Sequence, residues 1–389
     1  MSKAVLTPNY QKHYKTGKES FMTNAVRIGV VGCGSVMLHA YSRQINNLKM
    51  RGHVETVVAC DVKEDRKPIV TGPEYGYQRF TTDFEDVVTA NDVDLVLVTT
   101  SMREHGMVAR AALEAGKHVL VEKPMAHTLE EAAALVELSR KSKGYLAPAP
   151  HVLLSPTYQK MWRHIHNGDI GTPYLARAFY GWAGPNWGKW FYEPGGGSMF
   201  DLGVYNLVSL TGFLGPAKRV SGLIGTAIKQ RLVEGEMIEV QTDDNVQLCV
   251  EFANNCYAVV TTGFTIQRYR TPAIEIYGSK GTIQMLGDDW DPDGYELWRN
   301  DVGAWMLYPE SDPNWPWTDG INHLVHCIRS DERPIHDPEH AYHVIEIIEK
   351  ARIVGKTGVA QTIESTFTPP TFQTAQNEEA AHLKHDRTN

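Results

Sequence analysis

A basic excess is missing from this chain. Its 389 residues carry 38 Lys and Arg against 46 Asp and Glu, a net charge of −8; a nucleic-acid partner usually leaves the opposite imbalance. Long apolar runs are missing as well. None reaches the roughly 18 residues that a membrane-spanning helix needs, and residues 1–23 are polar, without the apolar core of a secretory signal. They read as a loose arm. Cysteine is scarce, odd in number and scattered: Cys33, Cys60, Cys249, Cys256 and Cys327 show no metal or disulfide spacing. Such cysteines read as reduced, mostly packed thiols of a cytoplasmic protein. The pairs His323/His326 and His340/His343 have i, i+3 spacing but no third ligand in a recognisable pattern, so no metal is expected. There is no internal repeat.

What remains is an ordinary globular composition, 42% hydrophobic and 22% charged, long enough for two domains with separate cores. The first is legible from its rhythm. Ala25–Val31 is an apolar run suited to a central parallel strand, and Gly32-Cys33-Gly34-Ser35-Val36 follows it at once. Two glycines permit a tight turn and a close backbone approach, so a pyrophosphate could sit on the amides that open the next helix. Gly-x-Gly alone is a weak signal, and the third fingerprint position is Met37 instead of Gly or Ala. Val54–Asp61 is a second strand ending in an acid. That carboxylate could accept hydrogen bonds from a ribose or simply cap the following turn. Asp94–Thr100 is another buried strand, with Thr99 and Thr100 at its tip, and His105 opens the helix after it.

His118–Val121 is a short β-branched run stopped by Glu122-Lys123-Pro124. Proline cannot donate to a sheet ladder and keeps its predecessor out of the helical region. One carboxylate and one ammonium are thereby left at the carboxyl edge of a sheet, where open α/β folds bind ligands. The bland alternative is a solvated salt bridge. A capping box, Thr128-Leu-Glu-Glu131, starts a helix to about Lys143. Strands alternating with helices at this interval predict a doubly wound parallel sheet over residues 24–147.

After Gly144 the prolines Pro148, Pro150 and Pro156 break the rhythm. Extended segments dominate from there: 174–182, 219–228, 246–252, 257–266, 273–277 and 282–286. Val246–Phe252 alternates apolar and polar residues, as a half-buried antiparallel strand does. Residues 148–367 are therefore expected to form an α+β domain around a mostly antiparallel sheet, closed by helices at 322–329 and 338–354. From residue 368 a polar tail is expected to be mobile. Within this half, Gly195-Gly-Gly-Ser-Met-Phe-Asp201 leads into an apolar helix that places Asp201 and Tyr205 at i and i+4, on one face. Such a pair is either a buried hydrogen bond or a catalytic couple.

Taken together, the Gly-x-Gly turn, Glu122-Lys123-Pro124, the triple glycine before Asp201 and Tyr205, Ile276–Thr282 and His326–Arg329 resemble the Gfo/Idh/MocA oxidoreductases over roughly residues 25–365. The resemblance implies a nicotinamide-binding Rossmann domain followed by a substrate-presenting domain. It also implies hydride transfer to or from a secondary hydroxyl of a sugar or polyol, with Lys123, Asp201 and Tyr205 catalytic. Tyr205 stands where most members have a histidine, as in the glucose–fructose oxidoreductase and dihydrodiol dehydrogenase branches. Gly32, Gly34, Ser35, Val36, Asp61, Thr99, Thr100, His105, Glu122 and Lys123 make up the expected cofactor pocket. The expected substrate contacts are Lys123, Asp201 and Tyr205 with His151, Trp182 and Trp190, since aromatic faces suit sugar rings. NAD is the expected cofactor because Asp61 would repel a 2′-phosphate. The nearby Lys63, Arg66 and Lys67 leave NADP open.

Two other functions use the same parts. A glycosidase could employ bound NAD transiently, and a regulator could bind the cofactor without catalysis. The second fits poorly with Lys123, Asp201 and Tyr205 occurring together. Family members commonly form dimers or tetramers, and a homo-oligomer is expected here. An ammonium near Tyr205 is also expected to lower the phenol's pKa towards the working range and make Tyr205 the proton carrier, the alternative being Lys123 as the base with Tyr205 only positioning the sugar.

Overall fold

The computed structural model describes residues 25–372. The expected N-terminal arm lies outside the described residues, as does the tail beyond residue 372. The first residues of that expected tail are anchored, because the Phe372 ring packs edge-on against Tyr158 and Trp162.

Six strands form the first sheet: β1 (Val26–Val31), β2 (Val54–Cys60), β3 (Arg79–Thr81), β4 (Leu95–Val98), β5 (His118–Val121) and β6 (Leu146–Pro148). All neighbours are parallel, in the order β3-β2-β1-β4-β5-β6. The apolar runs behave as continuous runs should when both faces are covered: every residue of β4 is fully buried. Strand order reverses between β1 and β4, which opens a crevice at their carboxyl ends. Gly32 and Thr99 stand there. The short edge strands β3 and β6 were not expected. Pro148 is tolerated in β6 because that strand lies at the sheet's edge, where a missing donor faces no neighbour.

The second sheet has nine strands in the order β16-β15-β14-β13-β7-β12-β11-β8-β17. They are β7 (Pro173–Gly181), β8 (Ala217–Gly225), β11 (Asn245–Phe252), β12 (Tyr257–Gly263), β13 (Ile274–Gly278), β14 (Gly281–Asp288), β15 (Asp291–Arg299), β16 (Ala304–Pro309) and β17 (Gln361–Thr362). Only β7 and β12 pair in parallel. A separate hairpin joins β9 (Gln230–Val233) to β10 (Glu236–Glu239). Along β11 the expected alternation holds: Val246, Leu248, Val250 and Phe252 are buried, while Asn245, Gln247 and Cys249 face outward. The helices Pro156–His166, Val204–Leu214 and Pro338–Thr357 share the core of this sheet.

One helix packs away from its expected place. Gly320–Ser330 was expected to close the second domain. Instead its Ile321, Leu324, Val325 and Ile328 share a core with Val26, Ile28, Leu95 and Leu120 of the parallel sheet. Its apolar stripe is indifferent to which sheet covers it, so the sequence pattern could not distinguish the two.

Candidate active site

At the end of β1 the chain turns through Gly32, whose φ is +96°. A Cβ there would stand 2.5 Å from the carbonyl carbon and oxygen of Thr99. Thr99 is buried, and its Oγ1 donates to the Gly32 carbonyl at 2.6 Å, so this threonine shapes the turn. Gly34 faces open space instead, with no atom within 4 Å of where its Cβ would be. Ser35 and Val36 are exposed at the mouth of the helix that follows. That helix opens with a wide π-type turn, Val36–Tyr41, before it becomes regular. The first amides of a helix have no acceptor in a preceding turn. An open Gly34 beside such amides is a cradle that fits a pyrophosphate. Asp61 closes its flank: Oδ2 accepts from Cys33 N at 2.7 Å and Oδ1 from Lys63 N at 2.9 Å. The carboxylate thus caps the turn while standing at the strand tip suited to a ribose.

Glu122-Lys123-Pro124 ends β5 at the same sheet edge. The turn is braced from below by His105, which is fully buried with Nδ1 2.8 Å from the Pro124 carbonyl and Nε2 3.2 Å from that of Thr100. Burial pushes its pKa down. His105 therefore shapes the pocket from behind, and the expected direct cofactor contact does not fit a ring whose nitrogens both face backbone carbonyls. Thr100 turns its hydroxyl to the Ser101 carbonyl at 3.3 Å. Glu122 is buried too. It accepts from the Tyr41 hydroxyl at 2.7 Å, and that hydroxyl lies 3.3 Å from His151 Nε2.

Lys123 reaches across to the turn of Asp201. Its Nζ donates to Asp201 Oδ1 at 2.7 Å and to the Asp201 carbonyl at 2.8 Å, with both side chains about nine-tenths enclosed (12% and 13% exposed). Asp201 sits in a second π-type turn, Met199–Gly203, at the head of the helix carrying Tyr205. Wide turns of this kind recur at functional sites. Lys123, Asp201 and Tyr205 are thus brought together from two regions of the chain.

The contact with Tyr205 differs from the expectation. Lys123 Nζ stands 5.1 Å from the ring centroid, over the aromatic face. Among the described residues, the Tyr205 hydroxyl has no hydrogen-bond partner. Burial, reinforced by the charge of Glu122, pushes the phenol well above its ordinary value. The expected lowering is overturned: desolvation of a phenolate outweighs an ammonium placed over the ring instead of at the oxygen.

One further expectation, the substrate contact of His151, needs correction. His151 is 1% exposed, with its Nδ1 unpartnered and its ring edge-on to His336. A side chain so enclosed cannot touch substrate; it is packed behind Tyr41. Trp182 and Trp190 belong to a loop cluster of their own. Trp182 packs against Trp187 and Phe264, and Trp190 stacks on Phe191 at 3.6 Å. Neither has a ring contact with Tyr205. The aromatic neighbour there is Tyr180 of β7, edge-on at 6.0 Å. Tyr41 and Tyr180 carried no local signal, since a tyrosine in an apolar segment reads as core. The pair His340/His343 is otherwise engaged: His340 Nε2 lies 2.7 Å from Thr211 Oγ1, and His343 Nε2 accepts from Ala217 N.

Comparison with known proteins agrees with this architecture. A family model described as the oxidoreductase family with an NAD-binding Rossmann fold matches residues 26–149, and one for the GFO/IDH/MocA C-terminal domain matches residues 158–284. The chain is 31% identical over 216 residues to 1,5-anhydro-D-fructose reductase of Ensifer adhaerens, covering 54% of this chain and 62% of that protein. It therefore spans less than two thirds of that relative's length. It is 25% identical to myo-inositol 2-dehydrogenase of Thermotoga maritima over 66% of this chain and 74% of the relative. Among solved structures, a levoglucosan dehydrogenase in complex with NADH superposes with a TM-score of 0.80, covering 88% of this chain and all of that one. At 19% identity this is a likeness of fold. Two matched domains in the expected order, spanning more than half the chain, place this protein in the Gfo/Idh/MocA oxidoreductase family, with an NAD-binding Rossmann domain.

Proposed function

We propose that the protein is a dehydrogenase or reductase acting on a secondary hydroxyl or ketone of a sugar or polyol, with Lys123 handling the proton. One observation carries this reading. An ammonium has three donors, and two of those on Lys123 are spent on Asp201 Oδ1 and its carbonyl. The third is left for a substrate oxygen beside Tyr205.

Nicotinamide, when bound, exchanges a hydride with the substrate carbon. In the reductive direction the third N–H of Lys123 points at the carbonyl oxygen and gives up its proton as negative charge grows there. In the oxidative direction the neutral amine takes that proton back. Asp201 fixes where the nitrogen stands. Tyr205, kept protonated by its burial, donates to the same oxygen and orients it. Gly34 and the helix amides behind it would receive the pyrophosphate, and Asp61 the ribose.

Relatives named as acting on anhydrofructose and inositol support a carbohydrate substrate. The test is a panel of sugars and polyols, including levoglucosan, myo-inositol and 1,5-anhydro-D-fructose, read as nicotinamide absorbance with NAD and with NADP. Oxidation or reduction of a panel member, with NAD preferred, is expected. Preference for NADP would remove Asp61 from its role. Cleavage of an aryl glycoside without net coenzyme change would replace the dehydrogenase reading.

A further inference from the structure

Two adjacent carboxylates, Asp243 and Asp244, lie immediately before β11, and both are buried. Asp243 faces the turn that carries Asp201. Its Oδ2 accepts from Ser198 Oγ at 2.9 Å and from Met199 N at 2.8 Å, and its carbonyl accepts from Ser198 N at 2.9 Å. Its Oδ1 accepts from Arg352 Nε at 3.1 Å and Nη2 at 3.0 Å. Arg352 arrives from the helix Pro338–Thr357. Its Nη2 also donates to the Gly196 carbonyl at 2.6 Å, and its guanidinium lies 4.4 Å from the Phe200 ring centroid. All of these contacts with the turn fall on residues 196–200, directly before Asp201. The fit is close: a Cβ on Gly197, where φ is +107°, would stand 2.6 Å from Asp243 Oδ1 and 3.0 Å from Arg352 Nη2.

Asp244 faces the other way. It accepts from Ala227 N at 2.6 Å, Ile228 N at 3.0 Å and Arg231 Nη2 at 3.3 Å. Arg231, on β9, donates to the carbonyls of Ala183 at 2.6 Å and Phe264 at 2.7 Å, and lies over the Tyr192 ring. The hairpin also binds the loop through Gly188 N to Glu234 Oε1 at 3.1 Å and Glu234 N to the Asn186 carbonyl at 3.0 Å. The loop so held carries Trp182, Trp187 and Trp190.

Buried ion pairs are weak as stabilisers, because desolvation offsets their attraction. What two guanidiniums with several fixed acceptors each provide is definite geometry. We propose that Asp243 and Asp244 are positioning residues. Asp243 acts through Arg352 on the turn of Asp201 and so on the Lys123 ammonium. Asp244 acts through Arg231 on the aromatic loop, so that one dipeptide sets the spacing between the reacting group and the wall facing the substrate. The kinetic part of this inference rests on the dehydrogenase reading above.

The test uses the full chain with Arg352→Met, Arg352→Lys and Arg231→Met, assayed on whichever sugar the panel identifies. Amide exchange is followed by mass spectrometry over residues 195–206 and 183–192. A misplacement of about 1 Å costs roughly 10²-fold in rate, so Arg352→Met should lower kcat by about that factor with KM within about 3-fold. Arg352→Lys should recover about 10-fold of it, since it keeps the charge but loses the fork. Arg231→Met should raise KM by about 10-fold with kcat within about 3-fold. Exchange should rise over 196–205 in the Arg352 variants alone and over 183–192 in the Arg231 variant alone. Equal kinetic losses in both, exchange rising throughout the chain, or no local change in either would overturn the proposal. If Arg352→Met does not fold, Arg352→Lys carries the same comparison in milder form. Should the wild-type protein turn over no sugar, the functional reading fails, and the exchange pattern by itself decides the positioning roles.

Discussion

The two sides of the cleft are held by opposite means. On the coenzyme side, Gly32, Thr99 and Glu122-Lys123-Pro124 end strands of a sheet buried on both faces, and their bracing contacts are short and largely to backbone. On the side proposed to receive substrate, the turn of Asp201 and the aromatic loop lie outside any strand. Side chains more than 30 residues away hold them, through Asp243, Asp244, Arg352 and Arg231. A doubly wound sheet makes its ligand crevice as a by-product of topology. A wall built from loops has to be fastened, and ionic side chains with several donors do the fastening.

The sharpest way to break the comparison is at the bridge between the sides. Lys123→Met should remove at least about 10³-fold of turnover while leaving NADH affinity nearly intact, measured by steady-state kinetics and tryptophan fluorescence titration. Tyr205→Phe is the companion. With Lys123 handling the proton, kcat should fall only about 10-fold, since one hydrogen bond to the substrate oxygen is lost. A loss as deep as that of Lys123→Met would make Tyr205 the proton carrier.

A smaller effect should separate turn geometry from coenzyme contact. Gly32→Ala forces a Cβ against the Thr99 backbone at positive φ and should destabilise the fold by about 1–3 kcal/mol, seen as a lower Tm. Gly34→Ala meets nothing in the protein. It should leave Tm almost unchanged and weaken NADH binding by about 10-fold, by filling the space a phosphate would approach. If Gly34→Ala binds NADH normally, the cradle is misassigned.

The smallest effects concern pH, and the two sides should differ in sign. Behind the coenzyme side, burial pushes His151 down to about 3 and His323 to about 4, and His336 is pushed well below its usual value. Below about pH 6.5 the unfolded chain binds protons that these rings refuse, so stability falls as pH drops, by up to about 1.4 kcal/mol per unit for each ring. Behind the substrate side, Asp289 accepts from Asn206 Nδ2 and Ser209 Oγ, and burial pushes its carboxyl up to about 7. The folded protein keeps that proton up to about pH 7 while the unfolded chain loses it near 4, so this contribution is lost as pH rises across that window. His336→Leu should flatten the acid fall in a Tm–pH series, and Asp289→Asn should flatten the loss between about pH 4 and 7. A His336→Leu series as steep as wild type would show that other groups control acid stability.

The sequence alone determined the parallel sheet, the Gly-x-Gly turn and the strand-ending Glu-Lys-Pro, because each is written in a few adjacent residues. Periodicity, glycine freedom and the missing proline donor all act locally. The alternation along β11 and the shared helix face of Asp201 and Tyr205 were legible for the same reason. Tertiary structure decided the rest. It buried His151 behind Tyr41, packed helix Gly320–Ser330 on the first sheet, and set the Lys123 ammonium over the Tyr205 ring instead of at its oxygen. It also fastened the Asp201 turn with Asp243 and Arg352, residues 109 positions apart. Pairings over that span depend on which surfaces meet once both sheets exist, and one-dimensional pattern carries no term for desolvation or for the direction of a side chain's final approach.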